Sequence, residues 1–277
     1  MRCQSRGSKQ ARRKRNAGIA LVSVLWLVLL LSGLAATVAY VARVNALLAR
    51  RSLELAEAQA AADAAIVNTI SRLTAQQINR QQPLGVLDTW EFGSVPVTIT
   101  VSAEAGRIDV NAASQQLLLA FLQAHGVSAA SASDLLAQLR SRPRPLERTE
   151  ELRQIPGWQE QDLRCWLGSF TVYSGRPDVT VSDAPPGVLT ALRWLAATGG
   201  TTAAPVTASP ARSVLGEVVR IRVSVRVGEA NTTSEWIGRL TGDLSRPMLT
   251  MRWDHDAAGA SSESCRAGKD RPVPDTV

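Results

Sequence analysis

Histidine and cysteine, which supply many metal ligands and catalytic groups, are scarce in this sequence. Its 277 residues include 2 histidines and 3 cysteines. We find no pairing of Ser or Cys with His, no zinc-ligand spacing and no phosphate-binding glycine loop. The sequence Asp254-His-Asp256 is short and polar, which is typical of a solvated surface. The sequence therefore predicts a protein that is not an enzyme and has no metal site or cofactor.

Three cysteines are too few for a disulfide framework. Cys3 lies in the basic N-terminal segment. Cys165 and Cys265 would face an oxidising compartment if the chain crosses a membrane, and one bridge between them is then one interpretation. A buried Cys165 with a free thiol at Cys265 is the alternative, and the sequence does not choose between the two.

Charged residues are absent from residues 19–42. A helix of this length rises about 36 Å, which exceeds the bilayer hydrocarbon core of about 30 Å. Residues 1–18 hold seven basic residues and no acidic one, and the other 24 Lys and Arg equal the 24 Asp and Glu. The net charge of +7 therefore belongs to this leader. A positive cluster beside a hydrophobic span stays in the cytoplasm, which predicts a single-pass membrane protein with its C-terminal bulk beyond the membrane.

Helix-breaking residues are absent between Gly33 and Pro83. The sequence therefore predicts one helix from about residue 19 to about residue 80, with residues 19–42 in the membrane and residues 43–82 outside it. Beyond the membrane, apolar residues recur close to the helical period and form one stripe that needs a partner surface. The members of this stripe are Leu48, Leu55, Ala62, Ile66 and Leu73.

Beyond Pro83 the pattern changes to alternating apolar and polar residues, which predicts strands at 95–101, 217–227, 234–240 and 248–253. Helical stretches come between the first strand and the last three, at 114–124, 128–139, 149–154, 160–167 and 186–195. Strands that pair across such an interval imply an insertion.

The predicted fold class is α+β, with a long N-terminal helix packed on a small antiparallel sheet and a large inserted helical subdomain. The head comprises residues 83–105 and 211–253. The insertion comprises residues 106–210 and ends in a flexible linker at 199–210. Residues 254–277 are expected to form a disordered tail.

The junction Arg15-Asn-Ala-Gly18 followed by Ile19-Ala-Leu-Val-Ser-Val-Leu-Trp resembles the type III signal peptide of type IV pilins and pseudopilins. The resemblance implies that a prepilin peptidase cuts after Gly18 and methylates the new N-terminus, Ile19. It also implies that the long helix is an assembly stem. A cleaved secretory signal would have a shorter apolar region, and a plain anchor would not explain Gly18.

Four further blocks resemble those of the minor pseudopilin K family of type II secretion systems. They are Gly106-Arg-Ile-Asp-Val-Asn-Ala-Ala113, Glu150-Glu-Leu-Arg-Gln-Ile-Pro-Gly157, Thr171-Val-Tyr-Ser-Gly-Arg-Pro177 and Ala184-Pro-Pro-Gly-Val-Leu189. The resemblance implies a structural role in the bacterial inner membrane, with the bulk of the chain in the periplasm. There the protein would assemble with the minor pseudopilins I and J at the tip of the pseudopilus, supporting export of folded proteins through the outer membrane.

Two departures from the wider family are informative. Most pilins and pseudopilins carry Glu at the fifth mature position, which here is Ser23, and in the family that Glu meets the N-terminal amine of a neighbouring subunit. Pseudopilin K proteins lack it, and the resemblance therefore favours a subunit with nothing ahead of it.

Longer members also have an acidic stretch associated with calcium. In this chain the only acidic residue within 133–146 is Asp134. Calcium takes about six to eight oxygen ligands, so we do not expect a calcium site.

A rival interpretation rests on Leu152-Arg-Gln-Ile-Pro-Gly-Trp158, which resembles the hairpin of a helix-hairpin-helix motif. The alternative function is a membrane-anchored protein for DNA binding or uptake. Against it, the second glycine of the usual hairpin is missing. Glu147, Glu150 and Glu151 also lie beside the hairpin, whereas phosphate binding needs a basic face. We therefore expect no nucleic-acid partner.

Overall fold

The computed structural model of the chain describes residues 8–78, 87–198, 216–243 and 245–255. The helices are α1 (Ser8–Ile78), α2 (Gln115–Ala124), α3 (Ala129–Arg140), α4 (Glu160–Trp166) and α5 (Pro186–Ala197). The strands are β1 (Leu87–Phe92), β2 (Val95–Ala103), β3 (Ile108–Asp109), β4 (Phe170–Thr171), β5 (Val218–Val227), β6 (Ala230–Asp243) and β7 (Arg246–Asp254). The chain divides into two compact units, Met1–Glu54 and Leu55–Val277.

The first unit is formed by the N-terminal part of α1. Within Leu21–Ala75, an 18-residue window reaches a mean hydropathy of 2.4 and is wholly exposed, so this helix is long and apolar enough to cross a membrane. The helix begins at Ser8 and not near residue 19 as predicted. Lys, Arg, Gln and Ala dominate residues 9–17 and have high helix propensity, which extends the helix into the leader.

In the second unit, the C-terminal part of α1 packs on the sheet through small side chains. Ala58, Ala61, Ala62, Ala65 and Ile66 are fully buried there, against a layer of β-branched and aromatic residues. That layer is formed by Val97, Ile99, Ile221, Val223 and Trp236. The alanines let the helix approach the sheet closely, and the predicted packing of a long helix on an antiparallel sheet is confirmed.

The sheet has five antiparallel strands in the order β1-β2-β5-β6-β7. β2 and β5 pair directly, with Ile99 opposite Val223, although the insertion separates them in the chain. The four predicted strands are confirmed, whereas β1 was missed. β1 joins β2 through a two-residue turn in which Gly93 has a φ of +61°, and a Gly-x pair between two strand-like runs is a hairpin signal.

The insertion between β2 and β5 has a core of its own, in which Leu117, Phe121, Leu152 and Phe170 are buried. Its helices α2 to α5 lie within two residues of their predicted ends, and residues 149–154 form a 3-10 helix. The two-residue parallel pairing of β3 with β4 was not predicted, because two residues are too few to show a period. The predicted linker at 199–210 and the tail beyond residue 255 lie outside the described residues.

Ile66→Ala should lower the free energy of unfolding by about 2–5 kcal/mol, because Ile66 is fully buried between α1 and the sheet. Urea unfolding of the full chain in neutral detergent, followed by tryptophan fluorescence, measures this, since Trp236 lies in the same core. Val67 is the matched control because it is 53% exposed, and Val67→Ala should change stability by less than about 0.5 kcal/mol. Equal effects of the two substitutions would contradict this packing.

Candidate functional site

The residues predicted to act in processing and assembly lie along α1. Gly18 and Ile19 are within the helix, and Ser23 is exposed in its apolar run. Leu48 and Leu55 are 57% and 47% exposed. Within the second unit, the stripe instead continues through Ala62 and Ile66, which are buried, and Leu73, which is partly buried against the same core. Packing of Leu48 and Leu55 on neighbouring subunits stays a prediction.

A buried ion cluster lies where the chain leaves β2 for the insertion. The carboxylate of Glu104 is fully buried and accepts hydrogen bonds from Arg220 Nε at 2.6 Å and from Arg107 Nη1 at 3.1 Å. The hydroxyl of Thr171, on β4, donates to the same carboxylate. Arg220 also pairs with Glu235 at 3.2 Å on the neighbouring strand β6. The cluster therefore joins β5, β6, the end of β2 and the insertion.

Protonation states in the cluster follow from competing effects. Burial raises the pKa of Glu104, but the charges of Arg220 and Arg107 and the hydrogen bonds from Arg220 and Thr171 outweigh it, which leaves this pKa below the ordinary 4.5. Burial and the charge of Arg220 lower the pKa of Arg107 to about 10, so Arg107 remains a cation at neutral pH. Each charge in the cluster is consequently both desolvated and paired.

Two further contacts hold the insertion on the sheet. Arg107 donates from Nε to the carbonyl of Gly168 at 3.0 Å. Arg252, on β7, contacts both carboxylate oxygens of Glu150 at 3.0 Å and Asp254 at 2.7 Å. Glu150 belongs to the 3-10 helix of the insertion, so Arg252 links the sheet edge to the inserted subdomain. These contacts and the Glu104 cluster form the junction of sheet and insertion.

The first and third family-like blocks meet at Asp109. Its carboxylate accepts hydrogen bonds from the backbone N–H groups of Asn111 at 3.0 Å and Gly175 at 2.7 Å, and from the hydroxyl of Ser174 at 3.2 Å. The side-chain amide of Asn111 in turn exchanges two hydrogen bonds of 2.9 Å with the backbone of Leu146. These polar residues of the two blocks therefore hold the loops of the insertion together.

Two glycines of these blocks permit close backbone contacts. A Cβ on Gly106 would lie 2.0 Å from the carbonyl oxygen of Asp183, and a Cβ on Gly187 would lie 2.6 Å from Ser169 Oγ. Gly187 belongs to the first turn of α5, so this helix approaches residues 167–169 closely. A side chain at either position would therefore disturb the packing of the insertion.

Cys165 lies on α4, is exposed and forms a disulfide bond. The alternative of a buried Cys165 is therefore wrong. Cys265 lies outside the described residues, and its pairing with Cys165 stays a prediction. Among residues 8–78, 87–198, 216–243 and 245–255, no group of three or more His, Cys, Asp or Glu side chains is arranged to hold a metal ion.

The long helix, the antiparallel sheet and the helical insertion together define a pilin-like α+β protein. No protein-family model and no curated protein matches the sequence. Among solved structures, a chain of the GspK-GspI-GspJ complex from the enterotoxigenic Escherichia coli Type 2 Secretion System is similar. It matches with a TM-score of 0.56 and 13% identity, covering 75% of this chain and 98% of that chain. The chain therefore shares the fold of that chain, and the predicted α+β fold class is confirmed.

Glu104→Gln should lower the free energy of unfolding by about 3–5 kcal/mol, because it leaves the buried charge of Arg220 without its main partner. Glu160→Gln is the matched control. Glu160 pairs with Arg153 and Arg164 but is 48% exposed, so its loss should cost less than about 1 kcal/mol. Urea unfolding of both variants in neutral detergent gives the comparison. A cost for Glu104→Gln as small as that of the control would contradict a structural role for the cluster.

The stabilising effect of Glu104 should also depend on pH. Its pKa in the folded protein lies below the ordinary 4.5, so the contribution is complete above 4.5 and is lost as pH falls through the lower, folded-state pKa. The stability difference between the unsubstituted protein and Glu104→Gln should therefore shrink as pH is lowered past 4.5. Unfolding free energies measured from neutral pH downwards test this. A difference that grows on acidification would contradict the direction of the pKa shift.

Proposed function

We propose that this protein is a minor pseudopilin of a type II secretion system. The observation that carries the proposal is the fold, which matches nearly the whole length of a chain in a complex named for GspK, GspI and GspJ. The corresponding partners of this chain are the minor pseudopilins I and J. The role is structural and not enzymatic, in keeping with a junction made of ion pairs and backbone contacts.

Membrane insertion and processing complete the proposal. The exposed apolar run of α1 anchors the chain in the bacterial inner membrane, and the basic leader keeps the short N-terminus in the cytoplasm. Prepilin peptidase removes residues 1–18 by cutting after Gly18 and methylates Ile19. The remainder of the chain then lies in the periplasm.

A position at the tip of the pseudopilus is supported by two features. Ser23 provides no carboxylate to neutralise the amine of a subunit ahead of it, and a lone carboxylate would be costly in the bilayer. The bulk of the insertion is also expected to hinder the addition of a further subunit above it. Below the tip, the exposed Leu48 and Leu55 provide apolar surface for the helices of neighbouring subunits.

The proposal is tested by expressing the full chain with prepilin peptidase and the minor pseudopilins I and J of the same system, followed by purification from detergent-solubilised membranes. We expect a complex of the three pseudopilins in which mass spectrometry finds the chain lacking residues 1–18 and carrying a methyl group on Ile19. Gly18→Val should leave the chain unprocessed, because a branched side chain replaces the hydrogen next to the cleaved bond.

Gly33→Ala is the control, since it changes another glycine of α1 at which an added Cβ meets no atom within 4 Å. This variant should be processed normally and should still form the complex. An unprocessed chain in the presence of active peptidase would refute the pseudopilin assignment. A processed chain that recovers neither partner would refute the assignment to the I, J and K assembly.

A further inference from the structure

An arginine-lined pocket lies where α3 ends and the following loop begins. Its volume is about 130 Å³, well above the roughly 15 Å³ that a single water molecule needs. The sequence around it is Arg140-Ser-Arg-Pro-Arg-Pro145, so a basic residue occurs at every second position. The lining includes Asn111, Leu139, Arg140, Arg142, Arg144 and Leu146.

Positive charge in this pocket exceeds negative charge. Arg140 donates to the backbone carbonyls of Asn111 at 3.0 Å and Ala113 at 2.6 Å, which are neutral acceptors. Arg144 is exposed and has no ion pair or hydrogen bond within the described parts of the chain. Arg142 contacts the carboxylate of Glu151 at 3.4 Å. The contacts of these three arginines therefore include one carboxylate.

One donor in the pocket is unsatisfied. The Nε of Arg142 is buried and has no hydrogen-bond partner among residues 8–78, 87–198, 216–243 and 245–255, although the same guanidinium reaches Glu151 through Nη2. Buried N–H groups are almost always paired, and an unpaired charged donor is costly. The guanidinium of Arg142 is therefore not fully satisfied by the described parts of the chain.

The pocket is also held in a fixed shape. Pro143 and Pro145 restrict the loop backbone on either side of Arg144. The two hydrogen bonds between the amide of Asn111 and the backbone of Leu146 fasten the end of the loop to the insertion. The hydrogen bonds of Arg140 fasten its beginning. Little backbone freedom would be lost on binding, which favours affinity.

We propose that this pocket binds an oxyanion, a carboxylate or phosphate group, between the guanidinium groups of Arg142 and Arg144. The planar guanidinium presents paired N–H donors whose spacing matches two oxygens of such a group. Arg140 contributes its charge while its hydrogen bonds hold the wall of the pocket. The proposal is independent of the secretion role, since it rests on the local geometry of residues 111 and 139–151.

Isothermal titration calorimetry on the full chain in neutral detergent at low salt tests the proposal. The probes are inorganic phosphate and a hexaglutamate peptide, with a hexaglutamine peptide as the uncharged comparison. We expect one saturable site for at least one anionic probe and no heat from hexaglutamine. Tighter binding of hexaglutamate identifies a protein carboxylate as the source of the group, and tighter binding of phosphate identifies a free anion.

Arg144→Ala should weaken binding about tenfold, because one charge-assisted contact is lost. Arg144 is exposed and unpaired in the described parts of the chain, so this variant is expected to fold. Arg239→Ala is the matched control, since it removes an exposed arginine from β6 with the same change in net charge. It should leave the affinity unchanged.

Three outcomes would overturn the proposal. The site would be excluded if neither of the two anionic probes bound at low salt. An equal loss of affinity in the Arg144 and Arg239 variants would show that anions are attracted by the general positive charge of the protein and not by this pocket. Duplex DNA that binds more tightly than either probe, and loses affinity in the Arg144 variant, would instead assign this surface to nucleic acid.

Discussion

The ion pair between Glu104 and Arg220 fixes the point from which the insertion leaves the sheet. The two residues are separated by 116 positions. Glu104 directly follows β2, and Arg220 lies on β5 opposite Ser102 of β2, so strand pairing brings them together. The entropic cost of closing so long a loop grows only slowly with its length. Once β2 and β5 pair, the insertion must still be oriented on the sheet. Burying either charge alone would be costly, so the pair selects one arrangement of the insertion on the sheet.

This junction separates two hydrophobic cores that use different chemistry. The core between α1 and the sheet is made of alanines facing β-branched residues, whereas the core of the insertion is made of leucines and aromatic residues. Alanine contributes little apolar area for each residue but permits a close approach over several turns of the helix. The junction is polar and buried. The relative orientation of the two cores therefore depends on hydrogen bonds, which are directional, and not on apolar contact alone.

Local signals in the sequence predicted most of the elements. Ser114 and Ser128 cap α2 and α3 by accepting hydrogen bonds from backbone N–H groups, and the alternation along β5 was correct. Non-local effects account for what was missed. The alternation assigns Arg220 to the solvent face, but Glu104, far away in the chain, holds it in a buried position.

Within the insertion, the residues that hold the loops together differ from those that determine the charge of the nearby surface. Asp109 and Asn111 bind mainly backbone groups, so their contacts do not depend on the side chains of Arg142 and Arg144. The interval in which the family resemblance implies an acidic, calcium-associated stretch here carries arginines. Guanidinium groups would repel a divalent cation and attract an oxyanion. Because Asp109 and Asn111 hold this framework mainly through backbone groups, the charge of the adjoining surface is set by a few other side chains, such as Arg142 and Arg144.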